Sequence, residues 1–220
     1  WHVSEKGATL YQELVHADGV PAASFRTRLA HVGSESLKPF AWSDRTRDAL
    51  TALIGEAPAA TAPRGLDMSK AAASSESVTR EHAIDEGVQV IGLGMVPPGD
   101  CDAFGRMHPH MFIGRVSDSV PNLLYDWRKK IAASVPGSEM GAAVLENRII
   151  YRAWPKAGDL FEIRTAMASA QEKTHSLVHW MLDPVSGRPW MTSEVVAVTF
   201  DLKSRKAMAT PPALLDELAT

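Results

Sequence analysis

The sequence predicts an α+β fold in which one long helix is wrapped by an antiparallel sheet. Two observations carry that expectation. Met111, Phe112, Val116, Val120, Leu123, Leu124 and Trp127 recur at helical spacing, which predicts a helix over residues 109–131. Four stretches of alternating sequence follow it, separated by turn-forming residues, and read as strands. A long helix set ahead of an antiparallel run is the α+β order.

The composition is that of an ordinary globular chain: 220 residues, 45% hydrophobic and 22% charged, enough for one large domain or two small ones. With a net charge of -3 and no long basic run, neither nucleic acid nor a membrane surface is expected as a partner. A single cysteine, Cys101, excludes an intramolecular disulfide and fits a reducing, cytoplasmic setting. Its expected role is that of a small residue filling a turn between two aspartates. No apolar stretch approaches the roughly 20 residues needed to cross a bilayer, and no signal peptide opens the chain. Trp1 stands where an initiator Met is expected, which points to sequence ahead of it.

Taken in order, residues 1–32 predict a hairpin. Alternation from Ala8 to Val15 leads to Asp18-Gly19, a turn signal, and then to a second strand over 22–32. The same order recurs late in the chain. Ser4-Glu5-Lys6-Gly7-Ala8-Thr9-Leu10-Tyr11 lines up with Gln171-Glu172-Lys173-Thr174-His175-Ser176-Leu177-Val178, and Asp18-Gly19-Val20-Pro21 with Ser186-Gly187-Arg188-Pro189. Each copy closes on a short helical tail, at 44–53 and 212–218. This predicts an internal duplication: residues 1–54 as a partial first repeat, 55–80 as an Ala-, Pro- and Ser-rich linker, and 81–220 as a complete second repeat.

In the second repeat a strand is expected over 88–96, then an acidic turn, then the long helix. Pro109 suits the first helical turn, Pro121 is expected to kink or break the helix, and Pro136-Gly137 to end it. Leu145, Asn147, Ile149 and Tyr151 share one face of the next strand, and Phe161, Ile163, Thr165 and Met167 one face of the second. The third strand is expected from His175 to Leu182 and the fourth from Thr192 to Leu202, with turns at 155–159 and 183–187.

The chemistry centres on the turn Pro98-Gly99-Asp100-Cys101-Asp102-Ala103-Phe104-Gly105-Arg106-Met107-His108-Pro109, which delivers carboxylates to a helix start where backbone N–H groups are unpaired. By position alone Asp102 reads as a helix N-cap. Gly99-Asp100-Cys101-Asp102 followed by Gly105 resembles the corresponding segment of hotdog-fold acyl-CoA thioesterases of the 4-hydroxybenzoyl-CoA thioesterase type. Asp102-Ala103-Phe104-Gly105-Arg106-Met107-His108 is similar to the D-A-F-G-H-V-N pattern of the same superfamily. The resemblance spans roughly residues 84–208. It implies a hotdog fold, doubled in one chain if the duplication holds, with Asp102 as the catalytic carboxylate and Asp100 as a turn or capping residue.

The resemblance also implies a substrate: an acyl thioester of coenzyme A or of an acyl carrier, with coenzyme A entering as part of the substrate and no separate cofactor. His108 falls where the pattern has asparagine, near the acyl carbonyl. Arg106 departs from the pattern's histidine, and Pro109 lacks an N–H near where relatives place an oxyanion donor, so the N–H of Gly105, His108 or His110 is expected to serve instead. Arg106, His110, Phe112 and Val116 are the expected substrate contacts, with the acyl chain along the helix. Lys173, Arg205 and Lys206 read first as a solvated charged edge.

No metal is expected. A His-x-His pair separates its rings by about 200° on a helix, which makes His108 and His110 a poor chelate. His175 and His179, four apart in a strand, lie about 13 Å apart and read as structural or pocket wall. Two further readings stand beside the thioesterase: a non-catalytic acyl-binding or assembly module that kept the fold, and, more weakly, a hydratase, whose usual histidine five residues after the aspartate is Met107 here. Self-association of the chain is expected in either case.

Overall fold

The computed structural model describes residues 2–57, 62–134, 137, 139–210 and 215, and divides the chain into two units, Trp1–Ala62 and Pro63–Thr220. The first is a three-stranded antiparallel sheet, β1 (His2–Val3), β2 (Gly7–Val15) and β3 (Pro21–Ala30), followed by α1 (Asp44–Thr51). The β2–β3 turn forms as Asp18-Gly19 predicts: Gly19 takes φ +85°, and the Asp18 carboxylate accepts the N–H of Val20 at 3.0 Å. Ser43 caps α1 by accepting from the N–H of Thr46.

The second unit holds α2 (Arg80–Asp85), β4 (Gln89–Met95), α3 (Pro109–Ser134), β5 (Met140–Tyr151), β6 (Leu160–Ala170), β7 (Thr174–Leu182) and β8 (Pro189–Asp201). The strands form one sheet of order β4-β6-β7-β8-β5, antiparallel throughout. This is the arrangement expected, one long helix and an antiparallel sheet, with each strand within a few residues of its expected bounds. The expected break at Pro136 and the tail at 212–218 lie outside the described residues, apart from Gly137 and Leu215.

Two details differ from expectation, and of the kink or break expected at Pro121 the break does not occur. α2 is absent from the sequence reading because six residues are too few to show a helical period; its signal is Thr79, whose hydroxyl caps the N–H of His82. Pro121 does not break α3. Its missing N–H costs one bond to Ser117, and Asn122 Nδ2 donates to Ile91 O at 2.7 Å, tying the helix to β4 at that point. Leu145 leaves the face it is expected to share with Asn147, Ile149 and Tyr151, because the ladder shifts register between Val144 and Glu146, and its side chain is 57% exposed.

The core lies between α3 and the sheet: Ile91, Val96, Met107, Phe112, Val116, Phe161, Ile163, Met181, Trp190 and Met191 are buried together. β4 comes close under the helix. A Cβ on Gly92 would stand 2.2 Å from Ser119 Oγ, so that approach requires glycine. Further along the same face, Leu177, Val195 and Ala197 meet Leu123, beside the buried pair Thr165 Oγ1 and His179 Nδ1, which share a hydrogen bond of 2.7 Å, and buried Ser193, which donates to Oδ1 of the exposed Asn147.

Residues 64–70 are held by side chains of β5 that bond to their main chain. Glu146 accepts the N–H groups of Arg64, Gly65 and Leu66, and Arg148 donates to the carbonyl of Lys70. α2 is pinned through buried Glu162, which pairs with both Arg80 and Arg164. Among the described residues no helix is long and apolar enough to cross a membrane.

Candidate functional site

After β4 the chain is locked to the loop before β6, Val96 N–H donating to Asp159 O and Gly158 N–H to Val96 O, both at 2.9 Å. A single 3-10 turn, Pro98–Asp100, then leads into a miniature hairpin. Cys101 and Met107 bridge its arms, Asp102 N–H donates to Arg106 O at 2.8 Å, and Gly105 N–H to Asp102 O at 2.9 Å. Gly105 makes the reversal at φ +74°, a region other residues rarely adopt. The hairpin leans on residues 155–157: Met107 N–H reaches Pro155 O, and Ala157 N–H reaches Gly105 O.

Asp102 stands at the tip, its side chain 32% exposed. Oδ1 accepts the N–H groups of Phe104 at 2.8 Å and Arg106 at 3.0 Å, while Oδ2 lies 3.4 Å from Arg106 Nε. The backbone N–H of Arg106 foremost, then that of Phe104 and the Arg106 charge, hold this carboxyl below its ordinary range, so it is ionised at neutral pH. The Cys101 thiol is pushed up by burial and stays protonated, which makes it a weak nucleophile. Asp100 has the opposite setting. It is 7% exposed, and Arg115 Nε donates to its Oδ2 at 3.0 Å with a second, shorter contact from Nη2.

The hairpin brings Asp102, Gly105 and Arg106 together and leads directly into His108, but several expected roles change. Neither aspartate caps α3, which begins at Pro109, seven residues beyond Asp102. Asp102 instead organises its own turn, since a carboxylate two residues ahead of an N–H satisfies it locally. Of the three expected oxyanion donors, Gly105 N–H is spent on Asp102 O and His108 N–H on Asp100 O, whereas His110 lies in the first turn of α3, where intrahelical acceptors do not exist.

His108 and His110 are not splayed apart: their rings stack with centroids 5.3 Å apart. His108 precedes the helix and does not share its angular period, so the 200° separation never applies. Among the described residues no three His, Cys, Asp or Glu side chains are grouped to hold a metal ion. Phe112 and Val116, at 0% and 4% exposure, belong to the core and do not line an accessible surface. Phe112 meets Tyr151 and Trp154 edge-on, and those two rings stack at 5.4 Å.

Two site neighbours escape the sequence reading. Tyr151 donates its hydroxyl to Pro109 O at 3.2 Å, at the first residue of α3, and burial raises its pKa. Arg115 is reached only once α3 lies beside the turn. The strand alternation places Tyr151 on one face with Asn147 and Ile149 without saying what that face meets; nothing in the sequence marks Arg115.

A family model described as the thioesterase-like superfamily matches residues 96–218, more than half of the chain, taking in the hairpin, α3 and β5 to β8. No curated protein matches. Solved structures share the fold at low identity. A candidate thioesterase from Pseudomonas putida KT2440 is 17% identical with a TM-score of 0.50, over 60% of this chain and 83% of that one. The protein SAV2348 from Staphylococcus aureus, solved in complex with CoA, is 19% identical with a TM-score of 0.49 over the same shares. A 1,4-dihydroxy-2-naphthoyl-CoA thioesterase from Synechocystis is 15% identical with a TM-score of 0.48, over 58% of this chain and 93% of that one.

Proposed function

Because the chain belongs to the thioesterase-like superfamily, we propose that it hydrolyses an acyl thioester, of coenzyme A or of an acyl carrier, with Asp102 as the reacting carboxylate. The observation that carries the reading is the carboxylate itself: ionised, partly exposed, and held by its Oδ1 on a hairpin tip just ahead of a helix start. Oδ2, paired with Arg106 Nε at 3.4 Å, is the oxygen that would meet the substrate.

Two routes fit. Asp102 takes a proton from a water that adds to the acyl carbon, or it attacks that carbon itself and water opens the resulting anhydride. In both, the C–S bond breaks, the thiolate leaves, and one water is consumed in releasing the acid and restoring Asp102. The first-turn N–H of His110 is the donor left for the oxyanion, with the His108 ring as a second donor. A thioester suits such sparse equipment because its thiolate leaves readily. Coenzyme A enters as substrate, and the setting proposed is cytoplasmic.

The test is thiol release from short, long and aromatic acyl-CoA thioesters with the full chain. Saturable turnover of any of them supports the reading. The second reading, a module that binds acyl thioesters without turnover, is favoured by the contacts already made to Asp102; binding seen by calorimetry with no thiol release selects it.

A second copy of the chain is the partner proposed. β5 is an edge strand of twelve residues, paired on one side with β8 only among the described residues, and Val144 and Leu145 are 59% and 57% exposed on it. Long apolar edges are templates for pairing. Sedimentation is expected to show a dimer that Val144→Lys/Leu145→Lys converts to monomer; a parental monomer at assay concentration rules it out. Residues 1–54 are proposed as a partial first repeat, on the ground that β2 and β3 form the same kind of hairpin as β7 and β8.

A further inference from the structure

We propose that Asp100 and Arg115 form a positioning clamp that holds the Asp102 hairpin against the start of α3; this rests on the reading of Asp102 as the reacting carboxylate. Asp100 is tied in two directions. Its side chain accepts from Arg115, six residues into α3 beyond Pro109, and its carbonyl accepts the N–H of His108 at 2.8 Å, the residue from which the helix starts. Everything between those anchors is the hairpin, residues 101–107, with Asp102 at its tip. Arg115 Nη1 also lies 3.5 Å from the exposed Asp118, which keeps the guanidinium oriented from its own helix.

With Asp100 buried and the Arg115 side chain 28% exposed, the ion pair contributes little net stability, since desolvation offsets much of the attraction. An apolar pair would close the same space. What the guanidinium adds is direction, because two N–H donors on one carboxylate oxygen set the angle of approach as well as the distance. With Asp100 set in this way, the separation between Asp102 Oδ2 and the first-turn N–H of His110 is fixed before substrate arrives. An acyl carbonyl placed between a nucleophile and an oxyanion donor needs that separation held. Neither Asp100 nor Arg115 touches the reacting atoms in this scheme.

The test compares the parent chain with Arg115→Met, Arg115→Lys and the double variant Asp100→Asn/Arg115→Met. The double variant removes both charges of this pair, so it covers the case in which Arg115→Met does not fold. Two quantities are read: kcat and KM with the best acyl-CoA of the panel, and the NMR titration of the 13C-labelled Asp102 carboxyl. The expected result is a kcat lower by about 100-fold with KM changed by less than about threefold, and partial recovery in Arg115→Lys. The Asp102 titration is expected to move up toward its ordinary value as the tip loosens from the Arg106 and Phe104 N–H groups. A folded double variant with parental kcat and an unmoved Asp102 titration overturns the clamp. If the parent turns over no thioester, the reading of Asp102 fails and the titration alone decides the clamp: an upward move supports it, and no move overturns it.

Discussion

Asp102→Asn is expected to lower thioester turnover by roughly 100-fold or more while leaving the fold in place, the usual scale for removing a positioned acid or base. The substitution is nearly isosteric. Its amide oxygen still accepts the N–H groups of Phe104 and Arg106, so the hairpin keeps its shape, and what is lost is the ionised oxygen together with its ion pair to Arg106. Thermal unfolding should therefore barely change while thiol release collapses. The pH profile of the parent supplies an independent check. Because the N–H groups of Arg106 and Phe104 and the Arg106 charge hold this carboxyl below its ordinary value, the acid limb of kcat/KM is expected below the usual carboxylate range, with a plateau through neutral pH. An acid limb near pH 6, or an Asp102→Asn variant as active as the parent, would remove Asp102 from the reaction.

Mild acid is expected to destabilise the second unit sharply, through His175 and His179. Both are buried, at 2% and 3% exposure, and desolvation lowers each from 6.5 to about 4. The sign follows from which state takes up the proton first. Above pH 6.5 both rings are neutral in the folded and unfolded chain, and the full stability is present. Below it the unfolded chain is protonated while the folded chain is not, so stability falls until about pH 4, at up to about 1.4 kcal/mol per pH unit for each ring. Carboxylates such as Asp183 and Asp201, lowered by their hydrogen bonds, add their loss only further down. Urea unfolding between pH 7 and 5 isolates the histidines: His179→Gln should flatten the slope by about half. A slope that neither His179→Gln nor His175→Asn alters would assign the loss to other groups.

Much of the fold is legible along the chain because it is set by local period and punctuation. The 3.6-residue recurrence from Met111 to Leu123 marks α3, two-residue alternation marks β5 to β8, and Asp18-Gly19 marks the first hairpin, each a matter of neighbours within a few positions. α2 falls below that limit. Its six residues hold too little period to stand out, and what fixes them is Arg80 on buried Glu162, a partner 82 positions away. Leu145 fails for a related reason: alternation assumes an unbroken ladder, and a bulge between Val144 and Glu146 is a property of two strands together.

The candidate site divides in the same way. Residue identity and order single out the turn that carries Asp102 and bring His108 next to the helix start, so the place of the chemistry is written locally. How the parts are used is not. The spending of the Gly105 and His108 N–H groups, the stacking of His108 on His110, the burial of Phe112 and Val116, and the grip of Arg115 on Asp100 each depend on distances between segments. A backbone donor or a buried face has one identity in the sequence and several possible partners in space, and packing selects among them.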